Sequence, residues 1–529
     1  MRLKMPFNKN NIHQIILALT GIVVLVMGII LFFIPPALFT DPSQGFQVLQ
    51  SMQHGSGFNN LVSPDQGDIS QNYTQFLTWW SPGQYLVPYF FQLTTGLNTA
   101  HGIVIATVLA EFFGLAGLYC FFKKIGFTPV IAALSLVFII CQVVFMVPHV
   151  YYSGGEILLF AFEGWFLYGC VALKHADWKL FLFVLLSGFA GFFLKSSFLW
   201  MYGAGLLCLW ISLSRGNRER IKWIKNGFWL GVPAVIAVGL INHFYIAKGD
   251  SPITGASGLK LTAETFSYPL ASPILAGFSL DDMLNGLVDH FGKPLFNQQW
   301  ALSILIVAAL LSVVLVWLII RRIPNNKYRL FVIVFYWAAV LFFGVSYLRQ
   351  LNISMEARHF RIIGLLITPG VIYLATQVKT GYKVILALIF LLITGYSFSY
   401  LVNGYKTNNK LARGITGIAQ PNIDQTALNQ VLKLDREKRD ITFVFIGDDI
   451  GLELQHNRYL SLPPISDSLK INTDDYEYDG FGVPLYIILP EAYNGPKEKL
   501  VMKSFPNYAG WNVSMIDADY VLYVADRKR

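Results

Sequence analysis

The strongest constraint on this chain is a series of apolar runs, each about as long as a bilayer is thick. They fall near 15–34, 102–122, 129–147, 155–173, 178–194, 197–213, 228–247, 300–320, 330–348, 360–378 and 384–402. A helix needs roughly 20 consecutive apolar residues to cross the hydrocarbon core, and it satisfies its own backbone hydrogen bonds there. Eleven such runs predict a membrane-embedded, all-α polytopic bundle of about 11 transmembrane helices. Composition agrees. Charged residues make up 13% of the chain and hydrophobic residues 54%, whereas a soluble domain carries roughly 25% charged residues. The least distinct boundary is within 180–213, where Lys195-Ser196-Ser197 interrupts one long apolar stretch.

The formal net charge is +9, yet no Lys or Arg lies between Lys9 and Lys123. Basic residues sit in short loops between apolar runs, which is a topology signal rather than a nucleic-acid footprint. With the N-terminus in the cytoplasm, eighteen Lys and Arg fall on the cytoplasmic side and seven in the outer loops between spans. Loops 37–101, 248–299 and 349–359 and the C-terminus are then outside. The first run follows Arg2, Lys4 and Lys9, exceeds a signal-peptide core, and ends at Pro35-Pro36 without a small-residue cleavage pattern. It reads as a retained span. No eukaryotic retention signal ends the sequence, so a bacterial inner (plasma) membrane is expected. Cys120, Cys141, Cys170 and Cys208 all lie in or at the end of apolar runs and predict neither disulfides nor a metal cluster.

Two domains are expected: residues 1–404, a transmembrane domain with its first outer loop at 37–101, and residues 405–529, a small extracytoplasmic α/β domain. In the first outer loop, Gln44 to Met52 has the pattern of an amphipathic helix, with Phe46, Leu49 and Met52 on one face. Trp79-Trp80 and Tyr85 suit a membrane–water interface. Past Tyr405 charge rises; 440–447, 484–489 and 520–524 read as strands and 425–434 as a helix.

Two places could carry chemistry. Asp41 directly follows the first span, where a carboxylate could act as general base toward an acceptor hydroxyl or amine; Asp-Pro is equally a good helix cap. The second is Glu356, Arg358, His359 and Arg361, at the outer mouth of a late span. Paired arginines with a histidine can neutralise a lipid-linked phosphate, and Glu356 could orient Arg358. Lys195, where a long apolar stretch breaks, could face the same anion or reach for lipid headgroups. Asp65 and Asp68, in a Gly/Pro loop, could bind a divalent cation or an acceptor, or simply shape turns. Glu111 and Glu163 lie within spans and are given no catalytic role. The sequence has no nucleophile elbow, no zinc-protease motif and no phosphate-binding loop.

Together these features resemble the GT-C superfamily of membrane glycosyltransferases, such as the protein O-mannosyltransferases and the lipid A aminoarabinose transferase. Thr40-Asp41-Pro42 matches the acidic residue that follows the family's first span. Trp80-Ser81-Pro82-Gly83-Gln84-Tyr85-Leu86 looks like its re-entering aromatic segment. Glu356-Ala357-Arg358-His359-Phe360, with Pro369 beyond, is similar to its late Arg motif. The resemblance covers roughly 14–403. It implies an inverting transferase that uses a polyprenyl-phosphate-linked sugar donor and an acceptor of the cell envelope, with membrane lipid as surroundings. Asp41 would be the base; Arg358, His359, Arg361 and Lys195 would bind the donor phosphate, and Glu356 would orient. The family's acidic pair is here a single Asp followed by Pro. Two other readings compete: an O-antigen ligase or polymerase, whose large loop lies between late spans, and a non-enzymatic lipid or polysaccharide transporter, which favours repeated halves.

Overall fold

The computed structural model describes residues 11–215, 219–249, 258–290, 296–447, 449–462, 477–480 and 482–527. Arg2, Lys4, Lys9, Arg218 and Lys293, counted in the topology, lie outside the described residues. Each of the eleven apolar runs is helical. Among the described residues eight helices are long and apolar enough to cross a membrane. The pair Pro129–Ile140 and Val143–His149, bent by 69° at its break, makes up to nine, and Trp178–Leu194 and Phe198–Ser214 are shorter apolar helices. With this many apolar helices the chain is an integral membrane protein.

Contacts divide the chain into two compact units. The first holds residues 1–30, 106–149 and 155–404; the second holds 31–105, 150–154 and 405–529.

In the first unit, helix starts are fixed by side-chain caps. Asp177 accepts from the N–H groups of Lys179 and Leu180, and Asn325 from those of Lys327 and Tyr328. Close helix packing relies on small residues: a Cβ at Gly164 would lie 2.4 Å from the Leu118 nitrogen. The interior is aromatic, with Phe166 between Phe183 and Phe198 at 5.9 and 4.9 Å. Residues 248–299, expected as an outer loop, contain the helix Glu264–Gly277, buried along most of its length and packed on helices Gln298–Arg322, Asn326–Leu348 and Arg361–Gln377. Pro269 and Pro273 and its 14-residue length hid it from an apolar-run search. Proline removes helical hydrogen bonds. Neighbouring side chains meet some of this helix's carbonyls: Tyr336 donates to Leu270 O and Ser312 to Ala271 O.

Among its described residues the second unit has eleven strands: β1 (Ala37–Leu38), β2 (Asn60–Pro64), β3 (Asn72–Phe76), β4 (Tyr151–Tyr152), β5 (Ala412–Arg413), β6 (Ala419–Gln420), β7 (Thr442–Ile446), β8 (Arg458–Leu462), β9 (Leu485–Pro490), β10 (Tyr508–Met515) and β11 (Tyr520–Arg527). The main sheet has the order β10-β11-β9-β7-β8. Its β8-β7-β9 part is parallel and its β9-β11-β10 part antiparallel. Alternation along β7 separates two cores: Phe443 and Phe445 pack beneath helix Gln425–Glu437, while Val444 joins Ile487, Tyr508 and Tyr523 on the opposite face. A smaller sheet has the order β4-β1-β6-β5, and β2-β3 form a hairpin. The segment at 44–52 is part of helix Thr40–Gln53, with Phe46, Val48 and Leu49 buried.

Candidate active site

In the first unit the charged residues gather around Glu156, in the first turn of helix Gly155–Ala172. Gly155 makes this possible, because a Cβ there would sit 2.8 Å from Leu194 O and 3.2 Å from the Lys195 Cβ. The close approach brings the Glu156 carboxylate onto Lys195 Nζ, with which it forms an ion pair. Lys195 ends helix Trp178–Leu194, its N–H donating to Gly191 O. Arg358 stands on the 3-10 turn Ala357–Phe360 and reaches two carboxylates. Its Nη1 is 3.4 Å from Glu156 Oε1, and its Nε is 2.7 Å from Glu356 Oε2. Two cations thus share one carboxylate, and a second carboxylate orients the arginine.

Arg361 follows, only 5% exposed. Its guanidinium lies 4.4 Å from the Phe160 ring centroid, and Nη1 reaches Glu156 O at 3.5 Å. Nε and Nη2 are buried and have no hydrogen-bond partner among the described residues. Glu163, a turn further into the span, is also buried, and its Oε2 is likewise without a hydrogen bond among the described residues. A buried guanidinium with two unmet nitrogens, beside Lys195 and Arg358, has the donor geometry for a phosphate. His359 sits differently: Nε2 is 3.3 Å from Ser354 Oγ and the ring packs on Phe343 at 5.8 Å.

The loop leading into this turn is pinned. Asp281 accepts from Tyr268 Oη at 2.9 Å and from the N–H groups of Leu287 and Ala357 at 3.0 Å each. Asp289 accepts from the Met355 N–H. Burial pushes the Asp281 carboxyl above its ordinary range, against the pull of those hydrogen bonds. Asp282 is pushed up to about 7, by burial first and then by the charge of Asp281. Sequence reasoning missed Asp281, Asp289 and Glu156. For Glu156 a signal existed: an acidic residue after Gly154-Gly155, at the same predicted face as Lys195 and Arg358.

In the second unit Asp41 is half-buried. It is not the cap that Asp-Pro suggested. The helix begins a residue earlier, at Thr40, with Phe39 as N-cap, and Asp41 is in its first turn. The reason is the preceding strand: the Phe39 N–H still donates to Tyr152 O, while its carbonyl already accepts from the Ser43 N–H. A carboxylate in a first helical turn is favoured by the backbone dipoles there. Asp65 and Asp68 shape the hairpin turn between β2 and β3. Asp65 Oδ1 accepts from the N–H groups of Gly67 and Asp68, and Asp68 Oδ1 from the N–H and hydroxyl of Ser70. Among the described residues no group of three or more His, Cys, Asp or Glu is placed to hold a metal ion.

The first unit is thus a polytopic helical body with a cation-rich cluster, and in the second unit Asp41 follows the first span. The sequence matches no protein-family model and no curated protein. Solved structures do match. ArnT from Cupriavidus metallidurans bound to undecaprenyl phosphate superposes with a TM-score of 0.51 at 11% identity, over 96% of this chain and 97% of that one. A mutant of the arabinofuranosyltransferase AftD from Mycobacteria superposes with a TM-score of 0.50 at 13% identity, over 97% of this chain. This chain spans 41% of the AftD length. The fold is therefore similar to that of these two structures.

Proposed function

We propose that this protein is a membrane glycosyltransferase that moves a sugar from a polyprenyl-phosphate-linked donor to an acceptor of the cell envelope. The observation that carries the reading is Arg361, buried with two unmet nitrogens next to Lys195 and Arg358, on a fold shared with a protein bound to undecaprenyl phosphate. The cations hold the donor phosphate and stabilise the charge it gains on leaving. Glu156 and Glu356 hold the cations in place. Asp41 of the second unit takes the proton of the acceptor nucleophile. That nucleophile forms a new bond to the sugar's anomeric carbon as the carbon–oxygen bond to phosphate breaks, and the electron pair leaves on the phosphate. Direct displacement inverts the anomeric centre. The distribution of Lys and Arg supports a cytoplasmic N-terminus and an outward-facing site in a bacterial inner membrane.

The test is mass spectrometry of envelope glycans and glycolipids in a deletion strain carrying either the wild type or Asp41→Asn at equal membrane levels. The expected result is a sugar missing from one acceptor and restored by wild type alone. Full restoration by Asp41→Asn would remove Asp41 from the mechanism. If the deletion loses no sugar and accumulates no lipid-linked donor, the transferase reading fails.

A further inference from the structure

The second unit contains a cavity of about 550 Å³. Its wall includes Phe39, Thr40, Ser43, Tyr151, Asn422 and Asp449. Three features of this wall specify a ligand. First, it has an aromatic floor. Phe39 is 38% exposed, and its ring lies 5.2 Å from that of Tyr151. Second, it offers short hydroxyl, amide and carboxylate groups, and one of them is unmet: Ser43 is buried, and its Oγ has no hydrogen-bond partner among the described residues. A buried hydroxyl without a partner is unfavourable until something bonds it. Third, among the described residues no Lys or Arg lines the cavity, and Asp449 does. A phosphate or a phosphorylated headgroup would find no counter-charge here, and an acyl chain would strand the polar groups.

We propose that this cavity is the acceptor subsite and that it takes a neutral carbohydrate, one or two sugar units of an envelope glycan or glycolipid. The inference rests on the transferase reading for its role, but its chemistry stands on the wall itself. The apolar face of a pyranose or furanose ring lies against Phe39 and Tyr151. Ser43 Oγ, Asn422 and Asp449 bond its hydroxyls. The volume is in the range of small-ligand sites, roughly 300–1,000 Å³. Thr40 of the wall and Asp41, the residue assigned as base, share the first turn of helix Thr40–Gln53. The strands β7 and β8 contribute Ile446 and Ser461 to the same wall, which gives the C-terminal α/β region a role in choosing the acceptor.

The test uses the full chain in lipid nanodiscs. The probe is the neutral oligosaccharide fraction released by mild acid from the host's own envelope polysaccharide, with binding read by saturation-transfer NMR and calorimetry. The expected result is saturable binding that weakens at least tenfold in Phe39→Ala and in Asn422→Ala and is retained in Phe39→Trp. Thermal unfolding confirms that each variant is folded. Binding that is unchanged in both alanine variants, or a wild type that binds envelope peptides or phosphorylated lipids in place of the neutral fraction, overturns the proposal. Undecaprenyl phosphate binding, measured on the same samples, reports the donor reading separately. If it is absent while the glycan binds at Phe39, the transferase reading fails and the carbohydrate site stands.

Discussion

The two units satisfy their buried carboxylates by different means. In the membrane unit Glu156 is met by Lys195 and Arg358, and the fully buried Glu111 by His149 at 2.8 Å. In the α/β unit Asp435 accepts from the N–H groups of Gln455 and His456, from the Asn457 amide and from the His456 ring. Glu453 accepts from the Thr416 N–H and hydroxyl and the Gln420 amide. The difference follows from the backbone. Beyond its first turn a transmembrane helix consumes its own N–H groups, so side chains of neighbouring segments do most of the compensating. A loop-rich α/β unit has N–H groups to spare. Asp281 supports the explanation from within the membrane unit: it lies in the single helical turn Leu280–Met283, beside non-helical chain, and it takes backbone N–H groups from Leu287 and Ala357.

The contrast can be broken by mutation. The largest effect is expected at the buried cation whose donors are unmet. Arg361→Ala should cut transfer about 10²–10³-fold, the usual loss for one charge-stabilising donor, with the protein still assembled in the membrane; undecaprenyl phosphate binding would show whether the loss is in donor capture. Next, Glu156→Ala strands Lys195 and Arg358 beside each other. A buried pair broken from one side costs about 3–5 kcal/mol; partial exposure of Arg358 places this case at the lower end, measured as the shift in thermal unfolding of the nanodisc-held protein. Asp435→Asn should cost less, about 1–2 kcal/mol, because its partners are dipoles. Smallest is Lys222→Ala, which removes an exposed pair with Glu219 at 3.4 Å and should change stability by less than about 0.5 kcal/mol.

Asp435 also makes the contrast visible in pH. Burial pushes its carboxyl up, but the hydrogen bonds from Gln455, Asn457 and His456 outweigh it, and the net shift is downward. A carboxyl held below its unfolded value stabilises the fold above that value, about pH 4, and the stabilisation is lost as pH falls through the lower folded value. Acid unfolding of the α/β unit, followed by tryptophan fluorescence, should therefore steepen below about pH 4 and flatten in Asp435→Asn.

Much of the membrane unit could be read from the sequence because hydrophobic length is a local signal. The same holds for β7, β9 and β11, whose short runs of β-branched, aromatic and other apolar residues mark themselves. The Arg358 cluster was legible because three charged residues and a histidine at a span mouth are conspicuous on their own. The other half of that cluster was not. Glu156 meets Lys195 across 39 residues and Arg358 across 202, and no short-range pattern encodes such a meeting. Helix Glu264–Gly277 escaped for another reason, since two prolines and a polar start make a buried helix look like a loop. Asp41 was visible, but its place in the helix was decided by the strand before it, through Phe39 and Tyr152.

The small sheet has a further consequence for how the protein is made. Ala37 of β1 pairs with Tyr151 of β4 on one side and Ala419 of β6 on the other. A ribosome adding about 5–20 residues per second leaves β1 waiting roughly 20–80 s for its last neighbour. During that interval the nascent chain is threading most of its apolar helices into the bilayer. The first strand translated is thus among the last to be completed, and a stop codon anywhere before β6 would leave it with one edge open.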